Sequence, residues 1–370
     1  MSGVRSDLFK IRAVCIATGT GGIMASANAL TTMPTMMVHS SRAELEMAKQ
    51  IMVAQKRREK RKVILYPLGY KKVGKESYTP LVAKDHPLYR YVGHGAGKRV
   101  EVGSELWRIT EPHLMRTVER GLKVLGAINL VFFVDSLGGG TGSALAVEFP
   151  TRLMEWGYEV LGIYTIPWGI DRDCYNLALE TLRKVKEAGI PSVIIDYNSI
   201  VRTLKRKRKT FTRKDVYNEA MKRISVALES IFNLFRDIIP VQSADVRDIT
   251  RCLEHGFGVM GVIEIPYSLW RFKKRIETVM PFLEPSLLAD LYPEAKDAIQ
   301  PDVFLGLDGP WTASEEEAIS VDIDAFWKPN LVVKYVTGDE VLQKKILVHI
   351  AGGYDLDHFQ LNLFNPHKAP

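Results

Sequence analysis

Between Leu130 and Ser143 the chain reads LVFFVDSLGGGTGS, five bulky apolar residues soon followed by a cluster of glycines. A run this short and this rich in β-branched and aromatic residues predicts a strand buried on both faces, as at the centre of a parallel sheet. Parallel strands need crossover segments, usually helices, so this segment points the chain towards an α/β architecture. Glycines at such a strand's end take positive φ and let the backbone approach a ligand, and the helix start beyond them favours phosphate. Two more clusters share this character, Gly19-Thr20-Gly21-Gly22 after a candidate strand at 11–17 and Gly93-His94-Gly95-Ala96-Gly97. In an open α/β sheet, loops of this kind gather around one crevice at the carboxyl ends of the strands.

Strands and amphipathic helices alternate through the first two thirds of the chain. The pattern predicts strands at 11–17, 36–38, 63–68, 130–134, 158–166 and 192–196. Residues 19–22 read as a turn, with helices at 23–31, 42–56 and 173–188. From 216 to 235 the apolar residues recur every three or four positions, which predicts one long buried helix. Strands at 303–307, 331–336 and 346–350 and a helix at 314–327 form a second pattern. The expected organisation is α/β. A parallel-sheet nucleotide domain spans 1–215, a central helix and its following loop span 216–255, and a smaller α+β domain spans 256–370.

Charge and cysteine usage narrow the function classes. Lys and Arg total 50 against 43 Asp and Glu, but the excess is concentrated. Residues 56–62 (KRREKRK) hold six basic residues and one acid, and residues 205–214 (KRKRKTFTRK) hold seven basic residues and no acid. Residues 301–370 hold eleven acids against five lysines. Such polarity favours contact between copies, or an acidic partner, anionic membrane surface or nucleic acid at the basic runs, over uniform nucleic-acid coating. Cys15, Cys174 and Cys252 are widely spaced and odd in number, which excludes a disulfide framework and fits a reducing cytoplasm. No apolar stretch reaches the ~20 residues of a bilayer span. Residues 93–98 (GHGAGK) fall one residue short of a P-loop, and Arg99 replaces its Ser or Thr. Met24 replaces the third glycine of a dinucleotide fingerprint, and no acid appears until Glu44, so a dinucleotide-dependent oxidoreductase is a poor reading.

The segment GGGTGS after a buried strand resembles the signature loop of the tubulin and FtsZ superfamily of GTP-dependent cytoskeletal proteins. Residues 93–103, GHGAGKRVEVG, resemble that family's γ-phosphate loop. The resemblance implies a GTP/GDP site built from Gly19, Gly21 and Gly22, from Gly95, Ala96 and Gly97, and from Gly138, Gly139, Gly140, Thr141, Gly142 and Ser143. Thr165-Ile166-Pro167-Trp168 resembles the sugar-contacting loop, which makes Asp171 the implied ribose ligand. Asp196-Tyr197-Asn198 resembles the next loop, whose Asn touches the nucleotide. Asn218-Glu219-Ala220-Met221 is similar to the Asn-Glu-Ala-Leu of tubulins, where the Asn reads the guanine edge. Residues 243–247 (SADVR) resemble the loop that FtsZ inserts into its neighbour's nucleotide site, so Asp245 and Gln242 are the implied catalytic residues. The same resemblance implies a cytoplasmic protein that stacks head to tail with itself and hydrolyses GTP slowly at each junction. Magnesium would be held through phosphate and water, with no metal ligand from the chain.

Several positions depart from the family pattern. The first loop lacks the usual run of glycines. His39-Ser40-Ser41 stands where FtsZ has Asn-Thr-Asp, and Pro240 and Gln242 stand where its inserted loop has Asn-x-Asp. These departures favour the alternative of a non-hydrolysing GTP-binding interaction module of the same fold. Trp168 and Tyr197 are expected in the core rather than against a base.

Overall fold

The doubly buried strand forms as the sequence requires: β6 (Leu130–Ser136) is buried at every residue but its last. In this computed structural model the residues described are 12–29, 33–54, 62–74, 77–126, 128–207, 210–234, 242, 244–266, 299–338, 342 and 344–359. Strand β1 (Ala13–Thr18) lies parallel beside β6, with β2 (Thr35–His39) and β3 (Val63–Pro67) continuing the sheet on that side. On the other side lie β7 (Glu159–Ile166) and β8 (Ser192–Asp196), also parallel. Registers pair Thr18 with Asp135 and Val38, Ser136 with Thr165, and Ile166 with Asp196, so the carboxyl ends of these strands form one edge.

The helices between the strands are α1 (Gly19–Asn28), α2 (Arg42–Ala54), α3 (Val100–Leu125), α4 (Gly142–Leu145), α5 (Glu148–Glu155), α6 (Arg172–Glu187) and α7 (Tyr197–Lys207). In α3 the buried residues Val102, Leu106, Trp107, Leu114, Met115, Val118 and Leu122 keep the three-four spacing that turns one face onto the sheet. A small hairpin of β4 (Tyr70–Lys72) and β5 (Tyr78–Pro80) stands apart from the main sheet.

One boundary differs from expectation. The turn expected at 19–22 is instead the first turn of α1, and residues 30 and 31 of the expected helix lie outside the described residues. Lacking Cβ atoms, these glycines let the helix lie against the end of β6; a Cβ on Gly22 would stand 2.6 Å from the Val134 carbonyl oxygen.

The long helix α8 (Arg213–Leu234) buries Val216, Ala220, Ile224, Leu228, Ile231 and Leu234 in a core shared with Phe304, Ile346 and Ile350, and so backs both halves of the chain. Short helix α9 (Val246–Arg251) leads into β9 (Phe257–Pro266). Strand β9 pairs with β8 at only two positions and then runs antiparallel to β12 (Lys344–Tyr354). Beyond β12 come β10 (Asp302–Asp308) and β11 (Leu331–Val336), with a helix at Ala313–Trp327 between them in sequence. The sheet thus continues through ten strands in the order β11-β10-β12-β9-β8-β7-β6-β1-β2-β3.

His349 in β12 is wholly buried, and neither ring nitrogen has a partner among the described residues. Burial disfavours its cation and pushes the imidazole down to about 3. The unfolded chain then binds a proton that the folded chain refuses, so stability is lost as pH falls below the ordinary histidine value. His349→Leu should remove this contribution. Denaturant midpoints should show the parent losing about 2 to 3 kcal/mol relative to the variant between pH 7 and pH 4.

Candidate functional site

Three loops meet at the carboxyl edge, and backbone contact holds them together. Gly138 has φ 83°, and a Cβ there would lie 2.4 Å from the Cys174 carbonyl oxygen. The Leu137 N–H donates to the Thr165 carbonyl at 3.0 Å, and the Gly138 N–H donates to Ser143 Oγ at 2.9 Å. Gly140 packs so closely on the loop before α3 that a Cβ would stand 2.8 Å from both the nitrogen and the oxygen of Arg99. Ser40, at the end of β2, joins the same cluster: its Oγ accepts from the Ala96 N–H at 2.9 Å and lies 2.5 Å from Thr141 Oγ1. Gly21 donates its N–H to Ser136 Oγ at 2.9 Å, tying the first loop to β6.

What remains open is a cradle. A Cβ at Gly97 or Gly139 would meet no protein atom within 4 Å, so both backbones face free space. A cleft of about 560 Å³ lies beside them, lined by Lys98, Gly138, Asp171, Arg172 and Cys174 among others. That size suits a small polar ligand. A larger cavity, about 680 Å³, lies between α3 and the amino-terminal parts of β1 to β3. It is mostly apolar and contains none of the glycine loops.

The β2–α2 corner carries a hydrogen-bonded chain of its own. Glu44 Oε2 accepts from Thr20 Oγ1 at 3.0 Å and from His39 Nε2 at 2.9 Å, while His39 Nδ1 accepts from the Ser41 N–H at 2.9 Å. An imidazole accepting at Nδ1 and donating at Nε2 is the neutral Nε2–H tautomer. Burial raises the Glu44 pKa, but its hydrogen bonds from His39 and Thr20 outweigh it and leave the carboxyl below its ordinary value. This corner links the first loop to the strand end that also holds Ser40.

Beneath the first and signature loops sits Asp135, fully buried. Its Oδ1 lies 2.9 Å from where a Gly19 Cβ would be and 2.5 Å from where a Gly142 Cβ would be. The Thr18 hydroxyl and the Ser136 N–H lean toward the carboxyl, but neither oxygen completes a hydrogen bond among the described residues. Burial dominates and pushes the carboxyl up to about 7. A carboxyl that is partly protonated at neutral pH repels an anion above it less than a full carboxylate would. Sequence reasoning missed Asp135, because strand register alone brings it under the loops, and read Ser40 only as part of a departure from the family pattern.

The other residues implied by resemblance divide into two groups. Asp171 lines the cleft and stands 3.6 Å from the Arg213 guanidinium. Asn198 is buried, its Oδ1 accepting from the Gly169 N–H and its Nδ2 donating to Asp196, so it fastens the loop after β7 to the end of β8. Tyr197 is a core residue packed edge-on against Tyr217, as expected, whereas Trp168 is only partly buried and packs on the equally half-buried Phe211. Asn218 does not line the cleft. It is exposed on α8 and borders a separate cavity of about 360 Å³ with Asn28, Met221 and Ser225.

Asp245 is the N-cap of α9. It accepts from the Asp248 N–H at 3.0 Å and donates its own N–H to Asp248 Oδ2 at 2.8 Å. Gln242 pairs its backbone with Val336 of β11. Thr250 and Arg247 of α9 reach Glu159, at the amino end of β7. Pro240, Ser243 and, apart from Lys62, the basic run at 56–62 lie outside the described residues, as do residues 208 and 209 of the second run.

No protein-family model matches the chain. In sequence it is 29% identical over 175 residues to the cell division protein FtsZ of Aquifex aeolicus, a stretch covering 46% of this chain and 44% of that protein. The chain therefore spans less than half the length of that relative. In structure it is similar to an empty dimer of FtsZ from M. jannaschii, with a TM-score of 0.66, 16% identity and coverage of 95% of this chain and 92% of that one. It is also similar to CetZ2 from Haloferax volcanii, a GTPgS-bound protofilament, with a TM-score of 0.63, 14% identity and coverage of 94% of both chains. The fold is that of these FtsZ and CetZ structures.

Replacing Asp135 by Asn tests the electrostatics of the site without a nucleotide. Because the folded carboxyl titrates near 7 and the unfolded one near its ordinary value, the parent loses stability as pH rises from about 4 to about 7. Unfolding midpoints should show the parent losing about 2 to 4 kcal/mol relative to Asp135→Asn between pH 4 and pH 8.

Proposed function

We propose that this protein binds GTP in the crevice of the three glycine loops, stacks head to tail into protofilaments, and hydrolyses GTP at the junction between subunits. The observation that carries the proposal is the placement of the crevice and α9 at opposite ends of β7. The crevice opens at Thr165 and Ile166, whereas α9 is bound to Glu159. At roughly 3.3 Å per residue, the strand separates them by about 20 Å, so Asp245 is held away from its own nucleotide. A surface at one end that complements a different surface at the other produces a heterologous contact and an open filament. The solved relative that is a GTPgS-bound protofilament and the one that is a dimer support this reading.

In this reading the N–H groups of Gly139 to Gly142 and of Gly97 cradle the phosphates, the remaining residues of 95–97 and 138–143 shape the loops through bonds of their own, Gly19 to Gly22 sit beside them, and Asp171 takes the ribose hydroxyls. The base would be read by Asn218 if the nucleotide extends past Tyr197 towards α8. Magnesium would be held by phosphate and water. Asp245 of the next subunit orients or deprotonates the attacking water, with Gln242 as a neutral hydrogen-bonding neighbour.

A second reading, a GTP-binding module that does not hydrolyse, is favoured by the capping box that already engages Asp245. Asp245→Asn separates the two, since Asn caps a helix about as well as Asp but carries no charge. Gly140→Val supplies the complementary defect by forcing the loop at 96–99 off the signature loop, which breaks up the crevice. Each variant alone should release phosphate at least about tenfold more slowly than the parent. Their mixture should recover activity, because the first supplies bound GTP and the second an intact Asp245. A mixture no faster than the sum of its parts rules out catalysis in trans. An Asp245→Asn rate equal to the parent's removes the carboxylate from the mechanism.

A further inference from the structure

The packing of the crevice leaves one costly backbone position unexplained. Lys98 has φ 62°, in the left-handed region that residues with a Cβ avoid, and it comes directly after Gly97 at φ 60°. Among the described residues the only other non-glycine at positive φ is Lys328, which ends the helix Ala313–Trp327, where a left-handed residue is the ordinary stop. Lys98 ends no helix. A glycine would make the same double turn without strain, so an observed outlier of this kind points to a use for the side chain.

The charges around it indicate that use. Lys98 is exposed, lines the cleft together with Gly138 and Asp171, and makes no ion pair among the described residues. Its neighbour Arg99 is committed elsewhere, Nη1 donating to the Tyr91 hydroxyl at 3.1 Å. Asp171 across the cleft has Arg213 beside it. The acids nearest the loops are poorly placed to hold a cation. Asp135 is sealed beneath backbone, and Glu44 is taken by His39 and Thr20. No group of three or more metal-ligating side chains occurs among the described residues. A triphosphate entering this cleft would therefore meet two cations that make no ion pair among the described residues, Arg172 beside Asp171 and Lys98, of which Lys98 is the one carried on the loop that closes over Gly140.

We propose that Lys98 binds the terminal phosphate of the nucleotide, so that the chain distinguishes GTP from GDP with a cation of its own and depends less on magnesium to do so. This rests on the GTP reading above. A Lys to Gly change removes the charge and relieves the strained φ together, which separates the binding role from a structural one.

Affinities of full-length parent, Lys98→Gly and Lys98→Arg for fluorescent GTP and GDP analogues would be measured in magnesium and in EDTA, alongside thermal melting. Lys98→Gly should melt no lower than the parent and lose about tenfold in GTP affinity, with GDP changed less than about twofold. Its GTP loss should be larger in EDTA, and Lys98→Arg should restore most of the affinity. Equal losses for GTP and GDP, or GTP binding unchanged in both conditions, would overturn the proposal while leaving the GTP reading intact. A parent that binds neither nucleotide would overturn both.

Discussion

The contact on which the site depends is between two backbones. A Cβ on Gly103 would lie 2.0 Å from the Gly140 carbonyl oxygen, and one on Gly140 would lie 2.8 Å from the backbone of Arg99. No side chain fits between these segments. The approach seats the start of α3 on the signature loop and fixes the loop at 93–97 over the end of β6. Steric exclusion of this kind is more restrictive than a hydrogen bond, because nothing but glycine satisfies it without moving a main chain. Ser40 then fastens the arrangement through Thr141 and Ala96, with only two side-chain bonds.

This constraint explains how much of the fold was legible in the sequence. Glycines that permit close approach are visible as clusters, and a strand buried on both faces is visible as an uninterrupted apolar run, so the parallel sheet and the three loops could be read directly. Helix phase was harder. The first glycine cluster reads as a turn but is helical, since glycines with no Cβ let α1 begin against β6 itself. Asn218 lies in the expected helix, yet it borders a cavity beside α1 rather than the cleft. Asp135 was invisible for another reason: its meaning comes from register, which sets it level with Thr18 and below two loops distant in sequence.

The electrostatics of the crevice show a consistent economy of negative charge. Burial holds the Asp135 carboxyl partly protonated at neutral pH, and Glu44 accepts hydrogen bonds from His39 and from the Thr20 hydroxyl. Asp171 faces Arg213, which comes from the second basic run, so at least one residue of that run serves the cleft rather than a distant partner. In a phosphate-binding pocket built mostly of backbone N–H groups, uncompensated carboxylates nearby would offset much of the attraction that those dipoles and the Lys98 cation supply.

The direction of the strands links this local chemistry to assembly. In a parallel sheet all crossover loops of one kind lie at one edge, and the helix-to-strand loops lie at the other. Phosphate-binding turns therefore collect at the carboxyl edge. The segment before β9 enters the sheet from the amino edge, where α9 is fastened to Glu159 by both Thr250 and Arg247. Flexing of α9 cannot close a gap of about 20 Å along a strand buried in a sheet of ten. If the acid on α9 acts on a nucleotide, it acts on one held by another copy, and the subunits must then stack with their sheets pointing the same way.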